Sequence, residues 1–269
     1  MTEEGKDKRT KIDEKLEHTL GIVEKRDKIL IKNRTADRAV MEEVFDRVTL
    51  MVVYDLMKAG KIKTIHGVVR SGKEARVYWG IGENEREIAI KIYLTVSAEF
   101  RRGKMIYIGE DPRFKNVKRD SKSITYVWAK RELKNLKTAY DVGVRVPEPI
   151  LVEKNVLIME FIGKEGISAP TLKEKTPSNA EKIYRKLLSY MKVLYRKARL
   201  VHGDLSEYNV MIWGGRPVIF DFSQAVPIEH QMAATFLRRD ITNLNRYFER
   251  LGVNVKNLDN AYRWVTEDG

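Results

Sequence analysis

The sequence predicts an α+β fold with two lobes, a small β-rich lobe followed by a mainly helical one. Apolar residues alternate with the period of a strand in residues 65–93 and again in residues 150–161. In residues 180–198 they recur instead at helical spacing, and residues 232–251 are also predicted to be helical. At 269 residues the chain is long enough to bury a sizeable core in one large or two small domains.

Composition divides the chain further. Residues 1–34 are dense in charged residues and poor in apolar ones, which predicts a charged extension without chemistry of its own. The first lobe covers residues 35–162 and opens with a helix over residues 37–59. Within it, residues 95–122 are basic and lack periodicity, so we expect a flexible insertion. The second lobe covers residues 163–269.

The first lobe is expected to combine five strands with one further helix. The strands are predicted at 67–69, 76–79, 88–93, 150–152 and 156–161. Between the third and fourth strands, apolar residues at helical spacing predict a helix over 126–140, which Gly143 ends.

The second lobe is expected to be helical around one group of short strands. Ser178 and Glu181 form a capping box that opens its first long helix. A last long helix ends at Gly252, and residues 257–265 add a short amphipathic tail. Between the two helices, Gly214 and Gly215 mark a tight turn. The short strands are predicted at 200–201, 210–213 and 218–220.

Charge and cysteine content limit the classes of function. The longest apolar runs fall short of a membrane span, and no apolar stretch follows the charged amino terminus. The absence of cysteine excludes disulfides and thiolate metal sites, and we expect a cytoplasmic protein. A net charge of +13 favours polyanionic partners such as RNA or nucleotide phosphates. A lysine- and glutamate-rich surface of a heat-adapted protein explains the same charge equally well.

The candidate catalytic residues lie in the strand–loop–strand segment 200–225. Asp204 precedes Asn209 by five residues, and Asp221 follows that Asn by twelve. Such spacing brings an amide and a carboxylate to strand ends, where both can bind one divalent cation. It is the spacing of the kinase catalytic loop and its metal-binding Asp. His202 matches the structural histidine of that loop, and we do not expect it to act as a base.

A lysine–glutamate pair is predicted in the first lobe. Lys91 lies on an otherwise apolar strand face and needs an anionic partner there. Glu132 borders the packed face of the helix over 126–140 and could reach it, as the strand lysine and helix glutamate of a kinase do. The alternative is that Glu132 is a surface residue among Lys130, Arg131 and Lys134.

The turn after the first strand is a candidate phosphate-binding loop. Ser71, Gly72 and Lys73 offer a hydroxyl, backbone amides and a positive charge to an anion. Taken alone, the turn is better explained as a simple hairpin with a solvent-exposed lysine. Residues 67–73 also nearly match a Walker A loop, but Glu74 stands where its Mg²⁺-binding Ser or Thr belongs, which argues against that interpretation.

The end of the fifth predicted strand resembles a hinge between two lobes. Met159, Glu160 and Ile162 lie in this stretch, which ends at Gly163. An adenine ring can hydrogen-bond to the exposed backbone of such a strand. We therefore include the three residues in the candidate ATP site.

Together these motifs resemble the RIO family of atypical serine/threonine protein kinases. The resemblance covers about residues 40–251 and is most specific in Ser-Gly-Lys-Glu-Ala at 71–75, Asp-Leu-Ser-Glu-Tyr-Asn at 204–209, and Arg239-Asp240. The absence of a winged-helix domain ahead of the core is most similar to the first RIO subfamily, the archaeal type.

The resemblance implies a protein-kinase-like fold that uses ATP and Mg²⁺ or Mn²⁺. It implies that Ser71, Gly72, Lys73, Lys91, Glu132, Met159, Glu160 and Ile162 bind ATP, that Asn209 and Asp221 bind the metal, and that Asp204 and Asp221 are catalytic. In the family that last Asp is thought to carry a transient phosphoryl group. The implied partners are the precursor of the small ribosomal subunit and its rRNA, and ATP hydrolysis is implied as part of the activity. No membrane partner is expected. The oligomeric state is left open, and a monomer is one of the possibilities.

The chain departs from ordinary protein kinases in several places. Arg70 and Ala75 replace two of the three loop glycines, Ser223 replaces the glycine of the D-F-G motif, and no A-P-E segment or activation loop follows. Ordinary protein substrates are therefore doubtful. The alternatives are a small-molecule kinase of the aminoglycoside or choline type, the kinase of a tRNA-modifying complex, and an RNA-binding scaffold that uses nucleotide as a switch.

Overall fold

The structure is a computed structural model that describes residues 46–94, 103–104, 107 and 120–267. The predicted charged extension, the first part of the predicted leading helix and most of the basic insertion lie outside these residues. Within the described part of the chain, no helix is both long and apolar enough to cross a membrane.

The first lobe is built on a five-stranded antiparallel sheet. Its strands are β1 (Ile62–Ser71), β2 (Ala75–Gly82), β3 (Glu87–Tyr93), β4 (Pro149–Glu153) and β5 (Val156–Glu160), in the spatial order β1-β2-β3-β5-β4. All five predicted strands are present, and β1 is longer than predicted. In β3, which lies at the centre of the sheet, the residues from Ile88 to Tyr93 are buried on both faces.

Two helices pack on this sheet. Helix α1 (Arg47–Lys58) contacts β1 and β5, and its buried Thr49 accepts a hydrogen bond from Asn155 Nδ2 at 2.8 Å. Helix α2 (Ser121–Asp141) begins at the N-cap Asp120, whose side chain accepts the Ser123 N–H at 2.9 Å. The helix therefore starts five residues earlier than predicted and includes the last two residues of the predicted insertion.

The second lobe is mainly helical, as predicted. Its helices are α3 (Ala180–Arg196), α4 (Ala233–Glu249) and α5 (Leu258–Thr266). Apolar side chains at helical spacing bury one face of each helix in a common core, which contains Leu187, Leu194, Phe222, Leu244 and Phe248.

The cap of α3 differs from the prediction by one residue. The side chain of Asn179, not that of Ser178, accepts the N–H of Lys182 at 2.9 Å. The helix begins at Ala180, so the amide nitrogen that needs capping belongs to residue 182.

Short two-stranded ribbons carry the loops of the site. Strands β8 (Leu200–Val201) and β11 (Val226–Pro227) pair, as do β9 (Val210–Trp213) and β10 (Arg216–Ile219), while β6 (Gly163–Lys164) and β7 (Ile167–Ser168) form a hairpin after the hinge. Gly214 and Gly215 take positive φ values of 56° and 71° in the β9–β10 turn, as a two-residue hairpin requires. Residues 228–232 alone join β11 to α4, so the fold lacks an activation loop at this place.

Candidate active site

A buried lysine joins two carboxylates at the centre of the site. Lys91 Nζ on β3 lies 2.9 Å from Glu132 Oε1 and 2.8 Å from its Oε2 on α2. The same nitrogen lies 3.0 Å from Asp221 Oδ1, which follows β10. Lys91 is 7% exposed and Glu132 is fully buried. The predicted lysine–glutamate contact is therefore present, and it also connects the sheet to the second lobe.

The charges of this cluster depend on one another. Burial works against the charge on Lys91, but the carboxylates of Asp221 and Glu132 outweigh it and hold the lysine pKa above its usual value. Burial raises the pKa of Glu132, although Lys91 opposes the rise. Burial also works against ionisation of Asp221, whereas Lys91 and the Ser223 hydroxyl hold its pKa low. Lys91 thus stays an ammonium ion, and Asp221 stays a carboxylate that is able to bind a cation.

Asp204 and Asn209 lie on one loop between β8 and β9. Asn209 Nδ2 donates to the backbone oxygen of Asp204 at 2.8 Å and to its Oδ2 at 3.3 Å, so the amide oxygen of Asn209 points away from that carboxylate. Burial and the charge of Asp221 raise the pKa of Asp204. The backbone N–H of Phe220 donates to Asn209 O at 3.1 Å, which brings the loop next to Asp221.

His202 is a structural residue in this loop. Its Nε2–H donates to Phe220 O at 3.2 Å, and its Nδ1 accepts the N–H of Asp204 at 3.3 Å, a pattern that only the neutral ring satisfies. Burial lowers its pKa to about 4. The expectation that His202 is not a base agrees with this geometry.

Helix α4 anchors the same loop from below. Asp240 is 1% exposed, and its two oxygens accept the N–H groups of Gly203 at 2.8 Å and Leu205 at 2.9 Å. Arg239 hydrogen-bonds to Gly203 O, and Asn243 Nδ2 donates to Leu205 O at 3.2 Å. The Arg239-Asp240 motif therefore fixes the backbone on either side of Asp204.

Two residues that hold the segment after Asp221 are absent from the predicted site. Arg131 was grouped with surface lysines but is fully buried, and it donates to Ser223 O and Ala225 O, each at 2.7 Å. Asn135 Nδ2 donates to Phe222 O and Ala225 O, both at 3.0 Å. The available signal was periodicity, because both positions share the α2 face of Ile124 and Trp128.

The candidate phosphate loop is an exposed turn. Ser71, Gly72 and Lys73 are exposed between β1 and β2, and the N–H of Gly72 donates to Ala75 O at 3.0 Å. The adjacent Glu74 lies 3.3 Å from Lys104 Nζ, a residue of the basic insertion that is only 4% exposed. The three residues predicted to bind phosphate thus lie at the exposed tip of the β1–β2 turn and not in the buried cluster around Lys91.

The candidate hinge follows the buried end of β5. Met159 and Ile162 are 8% and 4% exposed, and Met159 pairs with Ala89 of β3. The side chain of Glu160 is engaged by Arg145 through two bonds of 2.7 Å. This segment can therefore offer a base its backbone and the flanks of Met159 and Ile162, but not the Glu160 carboxylate.

The donor set around Asp221 suits a Mg²⁺ ion that arrives with phosphates. In the described part of the chain, no group of three or more His, Cys, Asp or Glu residues could hold a metal ion. Mg²⁺ keeps several waters and is commonly held by one or two carboxylates together with substrate phosphates. One carboxylate from Asp221 and one amide oxygen from Asn209 match that requirement.

Comparisons with known proteins identify the family of the chain. The sequence pattern of the RIO domain family matches residues 76–261. The RIO-type serine/threonine-protein kinase Rio1 of Haloferax volcanii is 39% identical over 243 residues, which cover 90% of this chain and 83% of that protein. The human serine/threonine-protein kinase RIO1 is 38% identical over 237 residues, or 86% of this chain but only 41% of the human protein.

A solved structure supports the fold. The Rio2 kinase of Chaetomium thermophilum, in an ADP/Mg²⁺-phosphoaspartate complex, superposes with a TM-score of 0.60 at 20% identity and covers 81% of this chain and 66% of that one. At this identity the likeness concerns the fold alone. The family match and the Rio1 relatives carry the assignment: the chain belongs to the RIO family of serine/threonine-protein kinases.

Proposed function

We propose that this protein is an ATP- and Mg²⁺-dependent atypical kinase that also hydrolyses ATP and acts in the cytoplasm on maturation of the small ribosomal subunit. The observation that carries the proposal is Lys91 Nζ held within 3.0 Å of both Glu132 and Asp221. A buried ammonium ion with two anionic partners is arranged to receive phosphate oxygens.

Each residue then has a defined task. Lys91, fixed by Glu132, orients the α- and β-phosphates, and Ser71, Gly72 and Lys73 approach the outer phosphates from the turn. Asn209 and Asp221 hold Mg²⁺, or Mn²⁺ in its place, which neutralises charge on the phosphates when bound. The backbone and flanking side chains of residues 159–162 hold the adenine.

Asp204 is assigned to position the attacking hydroxyl or water. Its raised pKa favours proton acceptance as the nucleophile forms. Asp221 has a second proposed role as a transient phosphoryl acceptor, by extension from the phosphoaspartate named for the Rio2 complex. That role would link kinase and ATPase activities at one carboxylate.

The ribosomal role rests on family membership and charge. A net charge of +13 suits a partner rich in phosphates, such as rRNA in a small-subunit precursor. The same charge also favours the alternative of an RNA-binding scaffold switched by nucleotide. The complete set of Lys91, Glu132, Asp204, Asn209 and Asp221 favours an enzyme, because a scaffold has no need of Asp204.

Turnover of ATP by the purified protein tests the proposal. We expect Asp204→Asn to lower ATP hydrolysis and autophosphorylation by at least about 100-fold while the thermal unfolding midpoint stays near that of the parent. Addition of small-subunit precursor should stimulate the parent protein. Unchanged turnover in Asp204→Asn would remove Asp204 from the mechanism, and stimulation by an aminoglycoside or choline instead would favour a small-molecule kinase.

A further inference from the structure

The side chain of Gln224 lies between the catalytic carboxylate and the basic insertion. Its Nε2 is 3.3 Å from Asp204 Oδ2, and its Oε1 is 2.9 Å from the hydroxyl of Tyr107. Tyr107 belongs to the segment that joins β3 to α2, far from Gln224 in sequence. A continuous hydrogen-bonded path therefore runs from the insertion to Asp204.

The chemistry of the three groups fixes the direction of this path. An ionised carboxylate only accepts hydrogen bonds, so the amide nitrogen of Gln224 must face Asp204. Its oxygen then faces Tyr107, whose hydroxyl donates. A rotation of the amide by half a turn would place its oxygen against Asp204 Oδ2, so the carboxylate selects this orientation, and the tyrosine hydroxyl holds the amide oxygen in it by donating a hydrogen bond.

Tyr107 and Gln224 are both held in place. The ring of Tyr107 stacks on Phe236 of α4 at 5.5 Å between centroids and meets the edge of Trp128 of α2 at 5.8 Å. Gln224 closes a short 3₁₀ turn, Phe222–Gln224, whose carbonyl groups are bound by Arg131 and Asn135. Side chains held in this way lose little further freedom when they orient a neighbour.

We propose that Gln224 is a positioning residue for Asp204 and that Tyr107 of the insertion fixes the Gln224 amide in its working orientation. This inference rests on the proposed function, because it assumes that Asp204 positions the nucleophile. It adds a residue of the insertion to the machinery of phosphoryl transfer.

The geometry also assigns the two oxygens of the catalytic carboxylate. The amides of Gln224 and Asn209 both donate to Oδ2 of Asp204, each at 3.3 Å. Oδ2 is thus the held oxygen, and Oδ1 is the oxygen that accepts the proton of the incoming hydroxyl or water. Loss of Gln224 would let the carboxylate rotate, which reduces the fraction of molecules in which Oδ1 faces the nucleophile.

Kinetics of matched variants test the inference. Gln224→Met keeps the length of the side chain and removes both hydrogen bonds, and Tyr107→Phe removes only the hydroxyl. We expect kcat for ATP hydrolysis to fall about tenfold in the first and about threefold in the second, with KM for ATP within about twofold of the parent. The double variant should be no slower than Gln224→Met, because Tyr107 acts through Gln224.

A control variant and a stability measurement separate a positioning role of Gln224 from a general loss of structure. Tyr140→Phe, at a tyrosine that is 43% exposed on α2, removes a hydroxyl elsewhere and should leave kcat unchanged. Losses that multiply in the double variant, or a parent-like kcat in Gln224→Met while Asp204→Asn is inactive, would overturn the inference alone. An active Asp204→Asn would instead overturn the proposed function. Equal thermal unfolding midpoints exclude a general loss of structure.

Discussion

At the residue scale, the half-buried groups Asp204, Asn209 and Asp221 rest on buried polar residues such as Lys91, Glu132 and His202. His202 shows what such burial costs. Its pKa falls from 6.5 to about 4 because the folded protein buries the ring in its neutral form. The unfolded chain takes up the proton at the higher pH, so stability that is present above pH 6.5 is lost as the pH falls towards 4.

We therefore predict that His202 contributes to acid unfolding. Its protonation should remove about 3 kcal/mol of the free energy of unfolding across that pH range. His202→Gln should be less stable at neutral pH, but its stability should decline less steeply with acid. Urea unfolding in a series of buffers across the range measures both slopes, and parallel curves for the two proteins would contradict the assignment.

Sequence patterns predicted Lys91, Glu132, Asp204, Asn209 and Asp221 as site residues, because a lysine on an apolar strand face needs an anionic partner and because the other pattern is the spacing of a kinase catalytic loop. Such patterns could not find Gln224 and Tyr107, whose contact joins segments 117 residues apart. Nor does spacing tell that the carboxylate of Glu160 is taken by Arg145. Side chains that bind distant side chains leave no period in the sequence.

At the element scale, hydrogen bonds join helix α2 to the 3₁₀ turn Phe222–Gln224. Arg131 and Asn135 make four hydrogen bonds to carbonyl groups of the segment that follows Asp221. Asp221 itself has a left-handed backbone with φ of 63°, a conformation that persists only when the surroundings enforce it. The helix that carries Glu132 therefore also fixes the carboxylate of Asp221, the proposed metal ligand, and no activation loop is needed to bring the two together.

This coupling predicts a large effect of one substitution on α2. Arg131→Met removes the donor to Ser223 O, leaves Ala225 O with Asn135 as its side-chain donor, and should lower the free energy of unfolding by about 3 kcal/mol. ATP turnover should fall as well, because Asp221 loses its support. Lys130→Met, at the exposed neighbouring position, is the matched control and should change stability by less than about 0.5 kcal/mol. Similar stabilities for the two variants would show that Arg131 does not hold the turn.

The order of elements was predictable, whereas several of their ends were not. Hydrophobic period located all five strands of the sheet and the long helices, since burial of one face dictates it. The cap at Asn179 and the start of α2 at Ser121 depend on which side chain turns back onto a backbone N–H. That choice is local, and the free-energy difference that decides it is smaller than the free energy gained by burying one side chain.

At the scale of the whole molecule, the excess of positive charge is the property that the fold does not explain. Lys and Arg number 51 against 38 Asp and Glu, and many ion pairs of the described surface join exposed groups that contribute little to stability. A polyanionic partner and a heat-adapted surface remain the two explanations, and they differ in their response to salt. Only binding to phosphates releases condensed counterions.

We predict that the protein binds small-subunit rRNA with a strong dependence on salt. Neutralisation of about four phosphates would weaken binding roughly 100-fold between about 50 and 200 mM monovalent salt. Fluorescence anisotropy with a labelled rRNA fragment measures the slope of log Kd against log salt, and the same titration of Asp204→Asn should give the same slope, because that carboxylate is assigned to catalysis. A heat-adapted surface without an RNA partner would instead show weak binding at every salt concentration together with high thermal stability. That result would not affect the proposal that the protein transfers phosphoryl groups, but it would remove rRNA as a proposed partner.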